Sequence, residues 1–371
     1  MSKIISIGTA VPAYKHEQQR ILHFMQTVFA LDTNEARKLR FLYNQSSIQT
    51  RYSAIADYSH DITEWKFYPQ SEAIEPFPSL EQRMMWYQKN AAPLSLDAIR
   101  DCVNGIIDPE EITHLITVSC TGMSAPGLDL QVVESLDLPK NIYRSSINFM
   151  GCYAAIHALK MADAICKTET GAKVMIVCTE LCTLHFQKEA TRDNMASSLL
   201  FGDGAAAVLV TPDEYDHKGL YLKSFYSEII TKGKSDMSWE LSSSGFLMTL
   251  SGYVPDLIEE DFEPLMSRAM AKANSSKENI AHWCIHPGGK RILDAIHKSL
   301  CFKNGELIES YEVLKEFGNM SSPTILFVLK KIMQSLKKGT ATAGNNAATD
   351  IFGAAFGPGL TMETFIASPH A

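Results

Sequence analysis

Lys173-Val174-Met175-Ile176-Val177-Cys178-Thr179 is apolar from Val174 to Cys178 and shows no alternation with polar residues. A short, β-branched run of this kind reads as a strand buried on both faces. His114-Leu115-Ile116-Thr117-Val118-Ser119-Cys120 and Ala205-Ala206-Ala207-Val208-Leu209-Val210 have the same character. Ala154 to Lys167, small and apolar, reads as a helix between them. Doubly buried strands with helices between them predict an α/β, layered architecture.

Working outward, Ile4–Ile7 is a short strand and Glu17–Phe41 reads as helical. Asp57–Ser79 reads as a long loop, and Glu81–Cys102 as a helix broken or kinked at Pro93. The downstream half is a looser version of the upstream one. Leu220–Ile230 alternates like a strand, Phe262–Lys272 is helical, and Trp283–His286 is a short strand ending in Pro287-Gly288-Gly289. Arg291–Leu300 and Ser322–Leu336 are helices, and strands Ile351–Phe356 and Leu360–Ala367 flank the turn Gly357-Pro358-Gly359. This pattern predicts a duplicated αβ core that breaks near Thr211-Pro212-Asp213, giving halves 1–212 and 213–371, without a residue-level repeat.

Composition narrows the function classes. At about 150 residues per domain, 371 residues suit two domains or one large layered unit. Lys and Arg total 34 against 42 for Asp and Glu, a net charge of -8, which argues against a nucleic-acid binder while leaving room for a local basic patch. The eight cysteines include no CxxC pair, so no metal site is expected. The apolar part of the N-terminus is too short for a signal peptide, and no run of about 20 apolar residues spans a membrane. The expectation is a cytoplasmic protein with free thiols.

Three residues carry the chemistry. Cys152 follows Asn148-Phe149-Met150-Gly151 and opens the helix that begins Tyr153-Ala154-Ala155. A helix N-terminus stabilises thiolate, so a lowered pKa and a reactive sulfur are expected. The same context also suits an inert core cysteine. His286 closes an apolar strand beside glycines that leave room for a ligand, which sets it apart from the other histidines. Asn319 lies in Gly318-Asn319-Met320-Ser321-Ser322-Pro323, where Ser321 or Ser322 is the expected helix cap and Asn319 is left free as a donor. Cys, His and Asn in this order occur in papain-type proteases, but Cys152 lies deep in the chain after Met-Gly. A thiolate with two neutral donors suits a thioester and an enolate better.

With these residues in place, the chain resembles the type III polyketide synthases, the chalcone synthase-like branch of the thiolase superfamily. The resemblance rests on Gly151-Cys152, Leu200-Phe201-Gly202-Asp203-Gly204, Ile285-His286-Pro287-Gly288-Gly289, Gly318-Asn319-Met320-Ser321-Ser322 and Ala355-Phe356-Gly357-Pro358-Gly359-Leu360, in order over essentially the whole chain. It implies a duplicated αβαβα five-layered sandwich, a homodimer, CoA thioesters as substrates, and no metal or redox cofactor. It implies Cys152 as the acyl-accepting nucleophile, His286 and Asn319 as donors to the malonyl thioester carbonyl, and Phe201 as a gatekeeper. Gly357, Pro358 and Gly359 would shape the cavity wall, and Arg37, Lys38, Arg40 and Arg51 would meet CoA phosphates.

The chain departs from the plant pattern along the pocket wall. The matching positions hold Cys120, Thr121, Cys182 and His185, with Ser321 retained, Met248 at the second gatekeeper position, and Ala125 where a methionine crosses the dimer interface. Glu180 to Gln187 looks like bacterial members, several of which take fatty acyl starters and make pyrones or resorcinols. A malonyl-primed or aromatic-starter synthase and a ketoacyl-acyl-carrier-protein synthase of the initiating type are the alternatives.

Overall fold

Val174–Leu181 is a strand in which every residue is buried, as its unbroken apolar run requires. It lies inside a mixed, nine-stranded sheet in a computed structural model that describes residues 1–303, 305–338 and 348–370. In chain order the first part of the chain holds β1 (Ser2–Ala10), β2 (Tyr14–Glu17), α1 (Gln18–Val28), α2 (Thr33–Gln45), β3 (Thr50–Ser53) and α3 (Leu80–Val103). Next come β4 (His114–Ser119), α4 (Leu128–Ser135), β5 (Tyr143–Asn148), α5 (Ala154–Thr168), β6 (Val174–Leu181), α6 (Arg192–Leu200) and β7 (Asp203–Pro212). The second part holds β8 (Leu220–Ile229), β9 (Met237–Ser242), β10 (Gly245–Leu250), α7 (Val254–Lys272), β11 (Ile280–Ile285) and α8 (Lys290–Ser299). It closes with α9 (Ile308–Phe317), α10 (Thr324–Lys338), β12 (Asp350–Gly357) and β13 (Thr361–Ser368).

The sheet runs β11-β12-β13-β8-β1-β7-β6-β4-β5. From β1 outward, β7 and then β6 pair antiparallel, and β6, β4 and β5 are parallel. From β8 outward, β13 and then β12 pair antiparallel, and β12 and β11 are parallel. The motif is thus repeated, and its two copies join through Ser2–Ile4 of β1 against Leu220–Leu222 of β8. Helix α3 covers β1, β6 and β7 on one face, α5 and α10 touch strands of both copies, and α7 with α8 closes the far side. Three apolar clusters fill the spaces between these layers. This is the α/β, thiolase-like arrangement expected.

Two local readings need correction. The helix expected over Glu17–Phe41 is two helices, because Ala30 turns left-handed (φ 49°) and the Asp32 side chain caps α2. Of the break or kink expected at Pro93, the break does not occur: α3 is continuous through Pro93, whose exposed ring lets water reach the carbonyl that loses its amide partner. The hairpin β9–β10 had no counterpart in the sequence reading, and it forms one wall of the site.

Candidate active site

Helices α5 and α10 present Cys152 and Asn319 just ahead of their N-terminal ends. Ahead of α5 the chain leaves β5 through Phe149 (φ 61°) and Gly151 (φ 85°) and delivers Cys152. Phe149 is a non-glycine residue in the left-handed region, a strain of about 1–3 kcal/mol that the surroundings must hold. A Cβ on Gly151 would stand 2.2 Å from Cδ of Pro358, so only glycine fits against that loop. A Cβ on Gly357 would stand 2.5 Å from the Tyr153 ring, so the Gly357-Pro358-Gly359 loop buttresses the Cys152 turn.

His286 follows β11 and is 1% exposed. Among the described residues neither ring nitrogen has a hydrogen-bond partner, and burial pushes its pKa down to about 3. The imidazole is therefore neutral, with one N–H donor and one acceptor, and it lines the cavity. Asn319 is fixed by its backbone: its N–H donates to Leu200 O and its carbonyl accepts from Gly202, both at 2.9 Å. Its Oδ1 accepts from the Ser321 N–H at 2.8 Å, which leaves the amide nitrogen, 3.3 Å from Gly288 O, facing the cavity. The Ser322 hydroxyl donates to Glu180 Oε1 at 2.6 Å, and Thr324 Oγ1 accepts the Met320 N–H at 2.9 Å.

Cys152, His286 and Asn319 line one cavity of about 280 Å³, together with Cys120, Thr121, Cys182, Phe201, Met248, Ser321 and Pro358. The expected low thiol pKa is corrected here. Burial pushes Cys152 up to about 11, outweighing hydrogen bonds from Ser321, Asn319 and its own backbone N–H. His185 stands apart, in a smaller cavity that shares Cys182, Phe201, Trp239 and Met248. Its Nδ1 accepts the Phe246 N–H at 3.1 Å, so Nε2–H donates to Thr121 O at 2.7 Å. Burial pulls its pKa down to about 3, and its ring stacks on Phe246 at 4.1 Å.

Arg51 is a second correction. It is buried, with Nε donating to Gln18 Oε1 and Nη1 to Phe201 O, and it braces the Phe201 and Gly318 loops instead of reaching solvent. Arg37, Lys38 and Arg40 lie on the exposed face of α2, whose Leu42 and Gln45 reach the cavity mouth.

Some lining residues escaped the sequence reading. Lys290 and Arg291 stand at the mouth directly after Pro287-Gly288-Gly289, and Trp239 projects from β9. Glu180 lies under the site, with its pKa raised by burial to about 7. A carboxylate inside a fully buried strand was its visible signal. Among the described residues there is no His, Cys, Asp or Glu cluster suited to a metal ion, and no helix is long and apolar enough to cross a membrane.

The family models for the N-terminal and C-terminal domains of chalcone and stilbene synthases match residues 1–214 and 221–369. The chain belongs to the chalcone and stilbene synthase family. This synthase is 28% identical over 368 residues to type III polyketide synthase A of Arabidopsis thaliana, covering 97% of this chain and 91% of that protein. It is 28% identical over 381 residues to a putative chalcone synthase of Bacillus subtilis (strain 168), covering 99% of each. PKS-I of the brown alga Ectocarpus siliculosus shares its fold, with TM-score 0.92, 24% identity and coverage of 99% and 98%. The C-terminal type III polyketide synthase domain of Steely1, a type I/III hybrid from Dictyostelium, gives TM-score 0.88 at 26% identity, covering 99% of each chain. The synthase is thus an acyltransferase of the type III polyketide class.

Proposed function

We propose that this synthase condenses malonyl-CoA units onto a fatty acyl-CoA starter held on Cys152, and closes the product to a pyrone or a resorcinol. The observation that carries the reading is one apolar cavity joining a half-buried cysteine to a neutral histidine without a hydrogen-bond partner among the described residues, and to an anchored asparagine amide. Leu199, Leu250, Val254, Met237 and Phe356 supply apolar wall for an alkyl chain.

In the first step the Cys152 sulfur attacks the starter thioester. The acyl group moves to Cys152, and the thiol proton leaves with CoA as its free thiol. Malonyl-CoA then places its thioester oxygen between His286 N–H and the Asn319 amide. Loss of CO2 puts negative charge on that oxygen, and each donor contributes about 2.7–4 kcal/mol to stabilising it. The enolate carbon attacks the Cys152 thioester, the new carbon–carbon bond forms, and the cysteine sulfur leaves. Because both donors are neutral and fixed before the charge develops, little reorganisation is needed.

Residues 1–212 would then hold the acyl group and 213–371 would generate the enolate, with no metal or redox cofactor. Lys290 and Arg291, with Arg37, Lys38 and Arg40, would meet the CoA phosphates at the mouth. The synthase would act as a cytoplasmic homodimer. Strand β5 ends the sheet with no strand beyond it among the described residues and with Tyr143 67% exposed, a surface suited to a second copy. All eight cysteines are free thiols.

The test is incubation of purified protein with labelled malonyl-CoA and acetyl, medium-chain, long-chain and aromatic CoA thioesters, with Cys152→Ala in parallel. Pyrones or resorcinols from fatty starters, absent in the variant, support the reading. Product from malonyl-CoA alone or from aromatic starters only overturns the starter assignment. A single condensation onto malonyl-carrier protein, with no CoA ester extended, overturns the polyketide reading.

A further inference from the structure

Cys120 stands one residue beyond β4, 3% exposed, with every polar group committed. Its N–H donates to Glu180 Oε2 at 2.8 Å, and its carbonyl accepts the Trp239 indole N–H at 2.8 Å. Its sulfur accepts the N–H of Gly151 at 2.9 Å. Strands β4 and β5 pair in register up to Ser119 and Asn148, and the Phe149 N–H still reaches Ser119 O at 3.2 Å. Beyond that point the nucleophile turn bends into positive φ at Phe149 and Gly151, and the backbone ladder ends. The Cys120 side chain continues the pairing where the main chain stops.

The anchor reaches further. Glu180 Oε1 accepts the Ser322 hydroxyl at 2.6 Å, and Oε2 also accepts from Thr121 Oγ1 at 2.8 Å. Ser322 sits three residues after Asn319. A continuous tie therefore runs from the Asn319 loop through Glu180 and Cys120 to the amide beside Cys152. On the opposite side Pro358 presses against Gly151. The turn is held between that ring and the Cys120 sulfur.

We propose that Cys120 is a positioning residue: its sulfur, fixed by Glu180 and Trp239, holds the Gly151 amide so that Cys152 meets the starter thioester in line. The inference rests on Cys152 being the acyl acceptor. Cys120 transfers no atom; without its acceptor the buried Gly151 amide is left unpaired and the strained turn is free to relax. Acyl loading depends on that placement, whereas decarboxylation depends on His286 and Asn319.

The experiment compares wild type, Cys120→Ser, Cys120→Ala and Cys120→Val in the full chain. It follows the mass of Cys152 loading from a fatty acyl-CoA, CO2 release from malonyl-CoA, and thermal unfolding. Cys120→Ala and Cys120→Val should lower the maximal loading rate about 10- to 100-fold. The half-saturating acyl-CoA concentration and CO2 release should stay within about twofold of wild type, taking a misplaced reacting atom as the only defect. Cys120→Ser keeps an acceptor and should recover most of the rate, which carries the test should the other variants fold poorly. Loading and CO2 release falling together in all variants, or Ser performing no better than Ala and Val, overturns the positioning role. So does unchanged loading in Cys120→Ala. A wild-type chain that acquires no acyl group on Cys152 overturns the proposed function itself, a result distinguishable from the others.

Discussion

The two copies of the sheet motif place different chemistry at the same two points. In the first copy the residue after β4 is Cys120, and a positive-φ glycine, Gly151, precedes Cys152 ahead of α5. In the second the residue after β11 is His286, and a positive-φ glycine, Gly318, precedes Asn319 ahead of α10. Both glycines are forced by close approach: a Cβ at Gly151 meets Pro358 at 2.2 Å, and one at Gly318 meets Leu200 O at 2.7 Å. Each turn is braced by the other half of the chain. One backbone device, used twice, offers a sulfur from one side and two donors from the other. Duplication supplies the geometry, and the side chains that stand at the matching points differ between the copies.

The largest expected effect breaks the two halves apart. Cys152→Ala should abolish condensation and acyl loading while malonyl-CoA is still decarboxylated. His286→Ala and Asn319→Ala should each cut decarboxylation about 10²- to 10³-fold, yet leave Cys152 open to loading. Intact-mass analysis and CO2 release read the two activities separately, and loss of both in every variant would dissolve the distinction.

The paired glycines sharpen it. Gly151→Ala should impair loading, and Gly318→Ala decarboxylation, about 10- to 100-fold each by displacing the group that follows. Each should also cost about 1–3 kcal/mol in stability from the positive φ, read by chemical denaturation. Equal damage to both activities from either variant would show one shared unit instead of two.

Arg51→Met tests the brace between the halves. Losing the bonds to Gln18 and Phe201 O should cost about 1.5–3 kcal/mol of stability, while the KM for CoA esters measured well below the melting point stays unchanged. A raised, salt-sensitive KM with unaltered stability would return Arg51 to the phosphate role.

The smallest effect concerns pH. With its pKa raised to about 11, Cys152 is thiol at neutrality, and its thiolate fraction grows tenfold per unit as pH rises. Alkylation of the free enzyme by iodoacetamide should therefore climb steadily from pH 7 to 10. A plateau below pH 7 would show the His286 imidazole taking the thiol proton, a stronger coupling of the halves than burial alone allows.

Much of this was legible in the residues. The buried strands at His114, Lys173 and Ala205 and the strand ending at His286 appear where the apolar runs placed them, because a segment buried on both faces needs no distant information to show its pattern. Gly151-Cys152 and Gly318-Asn319 were readable for a similar reason: a turn into a helix leaves a local mark. The β9–β10 hairpin was not legible, since its strands are short and only partly buried, and Phe246-Leu247-Met248 by itself does not distinguish a strand from other buried structure.

The sequence by itself therefore determined the α/β class, most strands of the central sheet, and which residues to look for ahead of α5, after β11 and ahead of α10. Tertiary structure alone decided what surrounds them. It buried Arg51 as a brace although its neighbours Arg37, Lys38 and Arg40 are exposed, and it aligned Cys120 with the Gly151 amide. It also raised the Cys152 thiol that its helix position should have lowered. The reason is range: periodicity and turn chemistry act over a few residues, whereas burial, charge and hydrogen-bond partners depend on segments that meet only when the sheet closes.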